Sequence, residues 1–369
     1  MSCVEPRKLD RALVRILQAR LVAWYVESRR PLPWRQTRDP YAVWLSEVML
    51  QQTRVDTVIP YYQRFLREFP TILALAEAPE ERVLTLWSGL GYYRRARMLH
   101  AAAKQVASEH AGRLPAEAEQ LRRLNGVGAY TAGAIASIAF GRRAAVVDGN
   151  VARVLTRIYA IEGDVKSSAV RAQLWQIAEG LISEGRCDPG DWNQALMELG
   201  ATVCLPRAPK CGDCPVRDAC MARTQDVVHE LPGRVRAKQR PRTVERVSIV
   251  LASKGAVLLA RRRVDTLFGG LWEPPTTDGK AGPLAARLGR TADDLEWAGE
   301  VVHVLSHRRM KVQVHKGTLG RQTRFAVPSS DYDAIEPVAW SRLSERAQAA
   351  LTRKILEVAN VAPRGLRSA

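Results

Sequence analysis

The chain has 369 residues, 46% of them hydrophobic, and carries 56 Lys and Arg against 38 Asp and Glu for a formal net charge of +18. This size and composition exclude a chain dominated by disorder and allow two or three domains with real cores; no apolar run approaches the roughly twenty residues of a membrane helix, so a soluble protein is expected. The positive excess attracts polyanions, which makes nucleic acid the leading partner and a merely solvated basic surface the alternative.

Residues 1–10 are charged and lack the apolar run of a secretory signal, which points to a cytoplasmic chain with reduced thiols. From Leu9 to about Met221 the apolar residues recur at helical spacing and alternating Val/Ile-rich runs are scarce, so this half reads as all-α. Asp39-Pro40 offers an N-cap followed by Pro at the first helical position and opens a helix through Leu50. Further helices are expected over residues 80–86, 94–110, 129–140, 151–161 and 169–184. Glu47 interrupts the apolar run of Trp44, Leu45, Val48 and Leu50. Burial raises a carboxyl's pKa toward the value a general acid needs near neutral pH; the other reading is a buried ion pair with an arginine.

Gly126 and Gly128, two apart between two helical patterns, let backbone amides approach a phosphate at the start of the next helix, or simply make a tight turn. Asp148 follows the apolar residues 144–147 and precedes Gly149-Asn150 and a helix. As it stands it is an N-cap or turn residue, with catalysis as the second reading. Cys204, Cys211, Cys214 and Cys220 fall within seventeen residues at the spacing C-x6-C-x2-C-x5-C. Four thiolates this close suit one inorganic centre, either zinc or an iron–sulfur cluster. The cluster is the better match, because structural zinc sites usually present two close pairs and only the middle pair here is close.

Between residues 230 and 245 the composition changes to Pro232, Gly233, Pro241 and a run of Arg and Lys, the mark of a basic linker. Beyond it, residues 247–252 and 256–260 are apolar runs flanking Ser253-Lys254-Gly255, which predicts a β-hairpin opening an α+β domain. Residues 301–305, 311–315 and 323–327 are further candidate strands, and 346–358 a closing amphipathic helix. There is no internal repeat or low-complexity segment.

Taken together, residues from about 30 to 220 resemble the helix-hairpin-helix DNA glycosylases with a C-terminal 4Fe-4S loop. Residues 124–131 match the hairpin, Asp148-Gly149-Asn150-Val151 the segment with the essential aspartate, and residues 204–220 the cluster loop. Within that superfamily, Leu32-Pro33-Trp34-Arg35, residues 44–53, Gly89-Leu90-Gly91-Tyr92-Tyr93 and Trp192-Asn193-Gln194-Ala195-Leu196 resemble the adenine DNA glycosylases of the MutY family. Related bifunctional glycosylase/AP lyases that excise oxidised pyrimidines are the rival reading, but they carry a nucleophilic lysine where this chain has Tyr130. A phenol forms no imine, which implies a monofunctional hydrolase, although another lysine could act weakly on the abasic product. The second domain resembles the family's nudix-like domain through residues 267–275 and Leu305-Ser306-His307, and the family often has Phe where this chain has Leu305. No R-E-x-x-E-E pattern follows Trp272, so nucleotide hydrolysis is not expected of it.

The resemblance implies a division into residues 1–230, a linker over 231–245 and a nudix-like 8-oxoguanine recognition domain over 246–362. It implies Glu47, Asp148, Tyr130 and Asn150 as the catalytic set and Trp34, Arg35, Leu50 and Gln194 as an adenine pocket. Gln52 and Tyr92 would enter the DNA stack, Gly126 and Gly128 would form the hairpin, and Ser306 and His307 would read the lesion. The four loop cysteines would hold one 4Fe-4S cluster. The expected partner is double-stranded DNA with adenine opposite 8-oxoguanine or guanine, bound by a monomer of bacterial type without membrane attachment. The expected reaction is hydrolysis of adenine's N-glycosidic bond, with Glu47 protonating N7 in an apolar site while a hydrogen-bonded Asp148 stays ionised.

Overall fold

Asp39 accepts a hydrogen bond from the Ala42 amide at 2.9 Å and Pro40 occupies the first turn, so the helix Pro40–Leu50 starts where its sequence signals place it. A computed structural model describes residues 10–184, 186–233, 242–305, 308–320, 325–326 and 329–361. Packing divides them into two bodies: one is built from residues up to 76 together with those from 101 to the linker, the other from residues 77–100 and those after the linker.

The first body is helical. Besides Pro40–Leu50 it contains Arg11–Ser28, Val55–Glu68, Ala129–Phe140, Gly149–Ile158, Ser168–Ser183 and Pro189–Thr202. The predicted helix 151–161 begins two residues early, because Asp148 caps it, and stops at Ile158, where the chain turns through Tyr159 and a left-handed Ala160. Leu17, Leu21 and Tyr25 of the first helix pack with Ile138, Val154, Leu155, Trp192 and Leu196 in one buried core. Two glycines set the spacing of the parts that carry the polar residues. A Cβ on Gly133 would stand 2.1 Å from the Ala145 carbonyl oxygen, and one on Gly200 would stand 2.6 Å from Asn150 Cβ. Asn193 completes the arrangement by donating to Ser137 Oγ and to the Ala144 carbonyl, both at 2.8 Å, which ties the extended residues before Asp148 to two helices.

Glu198 joins the N-terminal segment to the helix Pro189–Thr202. Its carboxylate, 1% exposed, accepts from Arg30 Nε and Nη2 and from Arg35 Nη2, each at 2.7 Å. Arg35 also lies over the Tyr25 ring at 5.4 Å. Burial by itself would raise the Glu198 pKa, but the two guanidinium groups outweigh it and bring the pKa down to about 2.

The second body holds a seven-stranded mixed sheet of β1 (Arg242–Ala252), β2 (Ala256–Arg262), β3 (Trp272–Glu273), β4 (Thr276–Asp278), β5 (Glu296–Val304), β6 (Arg308–Thr318) and β7 (Tyr332–Ala339). The order is β3-β2-β1-β6-β5, with β4 added on β1 and β7 on β2; among the described residues only β1 and β6 run parallel. The expected hairpin is the antiparallel β1–β2 pair. Arg262 is 1% exposed and donates to Glu273 at 2.7 Å, and Tyr332 donates to the same carboxylate at 2.7 Å. Strand 301–305 forms as part of the longer β5. Of the expected strand 323–327, residues 325–326 are not in a strand and the rest lie outside the described residues. The closing helix spans Ala350–Ala359 rather than starting at residue 346, because Ala347 and Gln348 are drawn into backbone bonds with Trp272 and Ser88. Residues 77–100, including the helix Glu80–Trp87 and the start of Arg94–Glu109, belong to this body: Trp272 Nε1 and Arg346 Nη1 both donate to Glu81 Oε1, at 3.0 and 2.9 Å. Among the described residues no helix is long and apolar enough to cross a membrane.

Gly133→Ala is expected to lower the unfolding free energy by about 1–3 kcal/mol or more, since backbone must move to admit the methyl group. Gly282→Ala, where the same atom meets open space on a helix, should be neutral or stabilising by about 0.4–1 kcal/mol; equal losses in urea titrations of the two variants would refute the close-approach argument. Glu198 is lower in the folded state (about 2) than its ordinary 4.5, so its contribution is full above about pH 5 and disappears as pH falls toward 2. The amount is at most about 3 kcal/mol. The stability of Glu198→Gln should therefore vary less over that window than that of the parent chain; parallel curves would contradict it.

Candidate active site

A cavity of about 1210 Å³ opens in the first body, and Glu47 and Asp148 both line it. Glu47 is 6% exposed on the apolar helix Pro40–Leu50. Tyr130, in the first turn of Ala129–Phe140, donates its hydroxyl to Glu47 Oε2 at 2.5 Å and also approaches Met197 Sδ at 3.2 Å. Burial pushes the Glu47 pKa up to about 7; the Tyr130 hydrogen bond and Arg35 pull it down, while the charge of Asp148 pushes it further up.

Asp148 caps the helix Gly149–Ile158, as its N-cap reading expects, and also lines the cavity. Its Oδ1 accepts from the Val151 amide at 2.7 Å and its Oδ2 from Asn150 Nδ2 at 3.2 Å. Arg153 orients that amide by donating to Asn150 Oδ1 at 2.9 Å, and is itself held by the carbonyls of Gly200 and Cys204 at 2.7 and 2.8 Å. The environments are those expected, apolar around Glu47 and hydrogen-bonded around Asp148. The Asp148 pKa is nonetheless raised, because burial outweighs the donors from Val151 and Asn150.

Trp34, Arg35, Leu50 and Gln194 line the same cavity. Trp34 is 7% exposed and meets Tyr62 edge-on at 5.4 Å, so it is both a packing residue and a wall. Gln52, Gly126 and Gly128 also reach the cavity; Gln52 and Gly126 have left-handed backbones, with φ of 59° and 73°. Tyr92 belongs to the second body, where it is 46% exposed with φ 49°. Ser306 and His307 lie outside the described residues. Glu198, Arg30, Lys166 and Arg171 also line the cavity and were not singled out in the sequence. Glu198 carried a usable signal, a carboxylate within an apolar helix, as at Glu47. Lys166 and Arg171 look like any other surface cations in the sequence.

Cys204, Cys211, Cys214 and Cys220 are half-buried thiols of one loop. Burial pushes Cys214 up to about 11, and the charges of Cys204, Cys220 and Cys211 add to it. Arg157, 2% exposed, donates to Cys204 Sγ at 3.3 Å and to the Leu205 and Leu231 carbonyls. An all-sulfur donor set beside a buried cation fits an anionic thiolate centre. Among the described residues, no three or more His, Cys, Asp or Glu side chains are grouped so that they could hold a single metal ion. Of the cations in the loop, Arg217 donates to the Gly212 carbonyl, while Arg207 and Lys210 are exposed.

Residues 45–179 match the family of HhH-GPD superfamily base excision DNA repair proteins, and residues 246–358 match the NUDIX domain. The chain is 40% identical to the adenine DNA glycosylase of Homo sapiens over 85% of this chain and 69% of that protein. It is 37% identical to that of Rattus norvegicus over 95% of this chain and 79% of that one. A thermostable thymine-DNA glycosylase superposes on 58% of the chain, over 98% of its own length, with TM-score 0.53 and 30% identity. With both domains matched and most of the chain aligned, the protein belongs to the adenine DNA glycosylase family.

Proposed function

We propose that the chain hydrolyses the N-glycosidic bond of adenine mispaired with 8-oxoguanine or guanine in double-stranded DNA, leaving an abasic site for base excision repair. The observation that carries this reading is the shared cavity: a buried Glu47 bonded by Tyr130, with Asp148 and Asn150 on the same walls.

An adenine inside a duplex hides its glycosidic bond, so the nucleotide is rotated out at a cost of a few kcal/mol. Gln52 and Tyr92 enter the stack to occupy the space left behind, and the amides around Gly126 and Gly128 hold a phosphate. Trp34 and Leu50 contact the base, with stacking worth about 1–3 kcal/mol, while Arg35 and Gln194 read its polar edge. Glu47, protonated up to its pKa of about 7, gives its proton to N7 and makes adenine a neutral leaving group. Positive charge then develops on the sugar. Asp148 stabilises that cation or bonds to it before water attacks, and the arriving positive charge favours its ionised form against the burial that raises its pKa. Tyr130 and Asn150 orient the two acids. Because Tyr130 forms no imine, the strand is not cut through that position.

Cys204, Cys211, Cys214 and Cys220 would hold a 4Fe-4S cluster, which when bound supplies a rigid core to the loop. Cleaving this bond transfers no electrons, and the chain's own residues perform the hydrolysis. The second domain, with Ser306 and His307, reads 8-oxoguanine opposite the adenine, and the protein works as a monomer.

Incubation with duplexes carrying A opposite 8-oxoguanine, G, T or C, followed by alkali cleavage, should show adenine loss from the first two only. Glu47→Gln and Asp148→Asn should bind the same duplexes with unchanged affinity and lose excision by more than about 100-fold, over ~2.7 kcal/mol of barrier; activity within about tenfold of the parent would remove either residue from its role. Glu47 must be protonated to act, so single-turnover excision should fall about tenfold per pH unit above pH 7. A profile flat to pH 9 would show that another group supplies the proton.

A further inference from the structure

In the second body, the exposed Tyr92 is held on a constrained loop. The residue is 46% exposed, its φ of 49° is rare for a non-glycine residue, and Gly89 and Gly91 just before it have φ of 104° and 74°. Backbone held in so sparse a region persists only when its surroundings dictate it. Part of that surrounding structure is local: Trp87 Nε1 and Arg95 Nη2 donate to the Gly91 carbonyl at 3.1 and 3.3 Å, and the Arg95 guanidinium lies 5.5 Å from the Tyr92 ring.

A further part comes from a residue about 260 positions later. The Gln348 amide donates to Ser88 Oγ at 3.0 Å, and the Gln348 carbonyl accepts from the Tyr93 hydroxyl at 2.8 Å. That hydroxyl accepts in turn from the Gly89 amide at 3.1 Å. One peptide segment therefore grips both ends of the loop. Gln348 is fixed by its own side chain, which donates to the Leu343 carbonyl at 2.6 Å.

We infer that the Gln348 backbone and the Tyr93 hydroxyl form a clamp whose role is to present Tyr92 for insertion into DNA, making Ser88, Tyr93 and Gln348 positioning residues for base extrusion. This rests on the reading of Tyr92 given under Proposed function. The nudix-like half thus has a mechanical duty in addition to reading the lesion: it sets the posture of the residue that opens the helix.

The test uses the full chain and a duplex with 2-aminopurine stacked beside 8-oxoguanine, whose fluorescence rises when the stack opens. Tyr93→Phe keeps the ring and loses both hydroxyl bonds; it should cut the fluorescence rise and the single-turnover excision rate about fivefold, with DNA affinity and melting temperature nearly unchanged. Ser88→Ala should act in the same direction and Ser88→Thr should restore the signal. Tyr92→Ala should reproduce the loss, and adding Tyr93→Phe to it should cause no further loss, as for residues acting through one another. A full signal from Tyr93→Phe, or additive losses in the double variant, overturns the clamp. If the parent chain opens the stack but releases no adenine, the reading of the reaction fails while the clamp stands.

Discussion

Glu47 is a carboxyl removed from bulk water whose partner is the hydroxyl of Tyr130, and the geometry around the cavity follows from keeping those two atoms together. Tyr130 sits at the start of Ala129–Phe140, and the register of that helix against the residues leading to Asp148 is set where Gly133 meets the Ala145 carbonyl. Gly200 does the same for Asn150. Backbone contact of this kind leaves no freedom for side chains to drift. Two acids are thereby held in one cavity by packing rather than by attraction, which is the only means available to groups that repel when both are charged.

The two acids shift in the same direction. Both are raised by burial, Glu47 with one neutral donor and Asp148 with an amide and a side-chain amide. Glu198 sits in the same cavity wall and shows the contrasting case: a buried carboxylate gripped by two guanidinium groups falls instead of rising. The difference among three buried acids is therefore one of counter-charge. At Glu198 two guanidinium groups supply it at hydrogen-bond distance; at Asp148 the charge of Arg153 and the nearby donors lower the pKa, but burial outweighs them.

Much of this was legible in the sequence where a single local rule decided the outcome. Asp39-Pro40 marked a helix start, the glycine spacing at 126 and 128 marked a turn, and a carboxylate among tryptophan and leucine marked burial at Glu47. The fold class followed from helical periodicity ahead of the linker and short apolar, β-branched-rich runs after it. Features that depend on distant partners were not legible. Nothing near Glu198 announces Arg30 and Arg35 more than 160 positions away. The helical pattern of residues 346–358 held only from Ala350, because residues 347 and 348 find better hydrogen bonds outside a helix. Short strands such as β3 and β4 were missed for the same reason: two or three residues carry no periodicity, and only their neighbours in the sheet define them.

Residues 77–100 also bear on how the chain is made. A ribosome delivers them early, yet Arg346 and Gln348, which bond to Glu81, Ser88 and Tyr93, follow only after more than two hundred further residues have emerged. During synthesis residues 77–100 therefore emerge well before their contacts with Arg346 and Gln348 can form, and this region is completed late.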